Sequence, residues 1–125
     1  MTPIATLALA ASLLGAGSAP VKVTILAPGP TPRVGTHWKY TVHVSAGGKP
    51  VAGKLTEQIV DPLGGTHPVQ LGLTKTDITN RPIKGTFRDF IIWPADSRGI
   101  PLTLRVIVTV GKAKHVLTYA VTPRA

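Results

Sequence analysis

The side chains that could do chemistry are few and scattered. There are four histidines (His37, His43, His67 and His115) and five carboxylates (Glu57, Asp61, Asp77, Asp89 and Asp96). Past residue 18 only two serines occur, Ser45 and Ser97. His37 and His43 share one parity of an extended run but lie six residues apart. At about 3.3 Å per residue that is roughly 20 Å, too far to hold one metal ion. No H-x-H or HExxH spacing occurs, so a metal site would need histidines that meet across strands. Ser97 stands in Asp-Ser-Arg-Gly, without the G-x-S-x-G elbow of a nucleophilic serine. No cysteine is present, which excludes disulfides, thiolate metal sites and a thiol nucleophile. The only methionine is Met1, which counts against a copper carrier with thioether ligands. The glycines follow neither a P-loop nor a dinucleotide pattern.

The carboxylates read as structural. Asp61 and Asp96 sit among turn-forming residues, where Asp caps backbone donors. Asp77 lies in a polar stretch. Asp89 stands between Phe87 and Ile91 and needs either an arginine partner (Arg88, Arg98 or Arg105) or a bulge, because a buried lone carboxylate is costly. Glu57 shares a face with Leu55 and Ile59 and, for the same reason, is expected at a bulge, at an edge or beside a base. The residues therefore name no catalytic, cofactor-binding or metal-ligating position. One spot is a candidate contact surface: Trp93, Asp96 and Arg98, where a strand ends in a loop, since aromatic and arginine side chains often anchor interfaces. The competing reading of Trp93 is a plug for the end of the core.

The elements that must position these residues are strands. Leu102, Leu104, Val106, Val108 and Val110 fall on one parity, as do Trp38, Tyr40, Val42 and Val44. Period-two alternation of this kind gives a strand with one buried face. Gly111-Lys112 suits a tight hairpin into Lys114–Val121, where Leu117, Tyr119 and Val121 face in. Further strands are expected over Val21–Ile25, Gly53–Val60 and His67–Leu73, the last with Val69, Leu71 and Leu73 inward. Thr86–Trp93 is apolar on both parities and is expected to be covered on both sides. Residues 74–83 are polar and hold a short strand or none. The Pro/Gly-rich stretch 27–36 is a crossover or stiff linker, since proline lacks the donor a sheet interior needs. About seven strands with turns at this spacing predict an all-β, two-layer antiparallel sandwich.

At 125 residues the length suits one domain, spanning 19–125 behind a signal peptide over 1–18. Ile4–Leu14 is apolar, Gly15–Ala19 is a small-residue exit, and the first charge is Lys22. The expected location is secreted, with the membrane involved only through an uncleaved leader. The net charge of +9 lies wholly beyond the leader. Such charge keeps a surface solvated, or draws it to an anionic envelope polymer. Nucleic acid is not an expected partner, because most aromatic residues fall on inward parities and form no stacking platform.

Val34-Gly35, the strand with Trp38 and Tyr40, and Gly48-Lys49-Pro50-Val51-Ala52-Gly53 resemble the opening of bacterial extracellular immunoglobulin-like modules, which carry a similar G-x-P-V-x-G turn. Trp93-Pro94 with Gly99 and Pro101 is similar to small secreted actinobacterial proteins of unknown role. The Cys…Trp…Cys framework of antibody domains is missing, so the resemblance implies a fold and a cell-surface setting but no mode of recognition. The expectation is a non-catalytic, immunoglobulin-like surface module that binds an unknown protein partner or has an adhesive or structural role. A metal-binding domain with cross-strand histidines and a binder of anionic wall polymer are the alternatives.

Overall fold

The alternating runs build two layers. A computed structural model describes residues 19–125; the expected signal peptide lies outside the described residues. Nine strands form in chain order: β1 (Val21–Leu26), β2 (His37–Ala46), β3 (Lys49–Pro50), β4 (Ala52–Val60), β5 (Thr66–Pro68), β6 (Arg81–Lys84), β7 (Thr86–Ile92), β8 (Leu102–Val110) and β9 (Ala113–Val121). Among the described residues the only helical piece is a 3-10 turn, Ala95–Ser97.

One sheet is centred on β2, which pairs antiparallel with β1 on one side and with β7 and the short β3 on the other. The second runs β4–β8–β9, with β5 and β6 sharing the outer side of β4. Trp38, Tyr40 and Val42 of β2 with Phe87 of β7 meet Leu55, Leu104, Val106 and Val108 of the other sheet in one buried core. Burial of these apolar faces, at about 25 cal/mol per Å², is the main driving force and needs no covalent staple. The β8–β9 hairpin closes through Gly111 at φ 60°, a conformation that costs glycine little.

The Pro/Gly-rich stretch 27–36 is bonded to the C-terminal segment. Thr122 donates to the Pro30 carbonyl, Arg124 to that of Pro32, and Val34 to that of Arg124. A parallel bridge joins Arg33 and Arg124. Pro30 and Pro32 each supply a carbonyl and are not asked for the donor they lack.

Several expectations are corrected. The strand expected over His67–Leu73 stops at Pro68, and Leu73 is 86% exposed. The chain turns back instead. Lys75, in the left-handed region at φ 58°, donates to the Leu71 carbonyl, and Leu71 donates to that of Thr76. The polar stretch that follows contains Ile78, fully buried, and leads into β6. Val69 donates to the Glu57 carbonyl and Glu57 to that of Ile78, so this edge of β4 is completed by fragments. β7 is not covered on both sides. Phe87, Asp89 and Ile91 lie in register with the inward Val42, Tyr40 and Trp38, while Arg88 and Ile92 are exposed. Phe90, on the outer face, is shielded by the stacked His37 ring at 4.0 Å.

Candidate binding groove

At the end of the sandwich where β4 and β7 finish and β8 begins, the two layers splay around an open groove of about 920 Å³. Its floor is apolar, with Ile59, Leu71, Ile91, Trp93 and Leu102 among the lining residues. Its rim is polar and carries Asp61, His67, Lys75 and Asp96.

Trp93 closes the core beneath this groove. It is 2% exposed and meets Trp38 edge-on at 5.6 Å and 75°, a favoured aromatic geometry. Trp38 also meets Tyr119 edge-on at 5.7 Å and donates its indole N–H to the Gly29 carbonyl at 3.0 Å. The Trp93 Nε1 has no partner, although buried indoles usually find one. Trp93 is therefore a core residue that reaches the groove and is not a protruding contact, because its bulk is the stopper between the layers. Pro94 begins the 3-10 turn, which Ser97 ties down by donating its hydroxyl to the Pro94 carbonyl at 2.6 Å. That bond gives the serine a structural partner: its hydroxyl serves the backbone. Asp96 sits exposed on the groove rim, and Arg98, also exposed, lies beyond the lining.

The opposite rim is a built turn. Asp61 Oδ1 accepts from the backbone of Leu63 and Gly65, each at 2.9 Å, and Oδ2 meets His67 Nε2 at 2.8 Å. The hydrogen bond from His67, then that from Gly65, holds the Asp61 carboxyl below the usual range. The turn itself was readable from Asp-Pro-Leu-Gly-Gly. The return of His67 onto Asp61 was not, since it depends on how β5 meets β4.

A second cluster lies inside the sandwich. The Tyr40 hydroxyl donates to Glu57 Oε1, and Glu57 Oε2 is buried without a partner. Burial pushes the Glu57 carboxyl up to about 8. The Tyr40 bond opposes this and the neighbouring Asp89 charge adds to it, so the group is largely neutral at pH 7. Burial, then the Glu57 charge, pushes the Tyr40 hydroxyl up as well. This corrects the expectation for Glu57: its strand is flanked by neighbours on both sides, its partner is a phenol, and protonation removes the need for a base. Asp89 is corrected likewise. It has no arginine partner; both its oxygens accept from the Gly72 N–H, at 3.1 and 3.2 Å. The donor comes from the loop after β5, which no spacing argument connects to β7.

The histidines do not meet. His37 stacks on Phe90, His43 faces Thr86 at 3.2 Å, His67 is bound to Asp61, and His115 is half-buried on β9. Among the described residues no group of three or more His, Cys, Asp or Glu could hold a metal ion.

No family model matches the chain, and no curated protein matches it in sequence. Among solved structures it is similar to Spo0M, a sporulation control protein from Bacillus subtilis, with TM-score 0.54 and 14% identity over 86% of this chain and 50% of that one. A DUF4466 family protein from Parabacteroides merdae ATCC 43184 aligns with TM-score 0.45 and 16% identity over 84% of this chain and 44% of that one. The chain spans about half the length of these structures. The likeness to Spo0M shows a shared β-rich fold.

Proposed function

We propose that the protein is a non-catalytic, immunoglobulin-like binding module working outside the cytoplasm, and that it holds a protein partner in the groove at the end of the sandwich. The observation that carries this reading is the groove itself: an apolar floor stiffened by the Trp93–Trp38 contact, with a polar rim built from the Asp61 turn and the 3-10 turn. Concave apolar surfaces with a few placed polar groups are the usual form of a binding site. The immunoglobulin-like label is supported by the strand orders, β1–β2–β7 in one layer and β4–β8–β9 in the other, which parallel the two layers of that sandwich. An apolar, uncharged stretch before Lys22 supports the extracytoplasmic setting.

The test is a pull-down from an envelope fraction with the native protein and two groove variants, Ile92→Asp and Ile100→Asp. Both isoleucines line the groove and are partly exposed, at 49% and 37%, so a charge there should spare the fold. A partner retained by the native protein and lost by both variants supports the reading. Retention by both variants, or turnover of an ester, glycan or peptide that one point change abolishes, would overturn it.

A further inference from the structure

The lysines and carboxylates of this protein are sorted by position along the sandwich; its arginines are not, since Arg33, Arg98 and Arg124 are exposed at the groove end. Six of its eight lysines, Lys22, Lys49, Lys54, Lys84, Lys112 and Lys114, are exposed at the end opposite the groove. The register places them there. Lys22 is one residue from the start of β1, which opens opposite the end of β2, and Lys49 pairs with Ala46 across the β2–β3 turn. Lys84 pairs with Ala52 at the start of β4, Lys54 and Lys114 both pair with Thr109, and Lys112 is in the β8–β9 turn. Gly85 joins the two sheets at this end, donating to Val51 and accepting from Val44. No carboxylate shares it. Asp61 and Asp96 line the groove, Asp77 is on the loop after β5, and Glu57 and Asp89 are turned inward. Among the described residues no lysine lies within ion-pair distance of a carboxylate.

We propose that this lysine-rich end docks on an anionic phospholipid bilayer, leaving the groove directed away from the lipid. Charge complementarity is one ground. Lysines near an anionic surface attract it singly and together, without a shaped pocket. The second ground is the path of the chain, and it favours a bilayer over a soluble polyanion. Ala19 lies against Gly47, in the turn between β2 and β3, so the chain enters the fold at this end. The eighteen residues before it carry no charge and are mostly apolar. For as long as that stretch stays attached to the domain, as an export signal does until it is removed, its passage through a bilayer sets the lysines beside the headgroups. The proposal does not depend on the groove reading, since it concerns the other end of the molecule.

The test uses the full chain and co-sedimentation with two kinds of vesicle, phosphatidylcholine alone and phosphatidylcholine mixed in equal parts with phosphatidylglycerol. The readout is the ratio of the two affinities, which a common contribution from residues 1–18 leaves unchanged. The native protein should prefer the anionic vesicles, and the preference should vanish near 1 M salt, where the Debye length is about 3 Å. Changing Lys54, Lys84, Lys112 and Lys114 together to Gln should cut the ratio by about fivefold per lysine, roughly 600-fold in all. The four-arginine set should keep it. A control set with the same loss of charge, Lys39, Lys75, Arg88 and Arg98 to Gln, should lower it by less than about tenfold.

A readout that needs no charge variant comes from the absence of cysteine. An environment-sensitive dye on Ala113→Cys should be shielded from a soluble quencher when anionic vesicles are added, while a dye on Leu63→Cys, in the groove-end turn, should stay open. Equal loss of the ratio in both Gln sets, no anionic preference in the native protein, or shielding at Leu63 would overturn the proposal. So would four-lysine-dependent binding to soluble poly(glycerol phosphate) with none to vesicles.

Discussion

At the scale of single residues, Glu57 has the most distinctive chemistry. Its folded-state pKa, about 8, lies above its ordinary value of 4.5, so the folded protein holds a proton that the unfolded chain gives up. Below about pH 4.5 both states are protonated and the contribution is whole. Between there and about 8 the unfolded chain ionises first and stability falls as pH rises; above 8 the loss levels off. At about 1.4 kcal/mol per unit the span amounts to several kcal/mol. Glu57→Gln keeps an acceptor for Tyr40 and cannot ionise. The variant should match the native protein near pH 4.5 and exceed its stability by a few kcal/mol at pH 9, as measured by urea unfolding. Parallel pH profiles for the two proteins would refute this. From sequence, Glu57 was visible as an anomaly on an apolar face. Its remedy was not, because Tyr40 is seventeen residues away on the other sheet.

At the scale of elements, the strands with one buried face were legible almost to the residue: β2 is His37–Ala46 and β8 is Leu102–Val110, where the alternation begins and stops. The edges were harder. β5 ends early and β6 begins inside a polar stretch, because an edge strand with few buried residues shows little period-two signal. The loop between them is pinned at Gly72, whose N–H serves Asp89. A Cβ at Gly72 would sit 2.6 Å from the Phe90 ring. Gly72→Ala should therefore destabilise the protein by about 1–3 kcal/mol, since either the ring or the loop must shift. It should also speed hydrogen exchange at the Gln70–Asp77 bridge ahead of the core strands. An alanine variant as stable and as protected as the native protein would show that the loop is not so constrained.

At the scale of the whole molecule, the fold separates two kinds of surface. One end carries a groove with carboxylates on its rim; the other carries six lysines and none. Like charges crowded at one end repel one another in the folded state, so raising salt from low to moderate concentration should lift the melting temperature by a few degrees. The four-lysine variant to Gln should melt higher than the native protein in low salt, and the gap should close as salt is added. A melting temperature that ignores salt would mean the lysines stand too far apart to interact. No disulfide staples these layers, so each such term acts on a stability that is small in total.

The all-β layering was already legible in the residue order, since side-chain alternation is a local property of an extended chain and sets which face is dry wherever it lies. So were the positive charge and the lack of any spaced reactive motif. Which residues meet came from the packing of distant segments: Tyr40 with Glu57, Gly72 with Asp89, His67 with Asp61, Trp93 with Trp38, and six lysines scattered through the sequence at one end of a sandwich. These pairings depend on strand order and register between distant segments, and those are set by packing two sheets into one core and not by any neighbour along the chain.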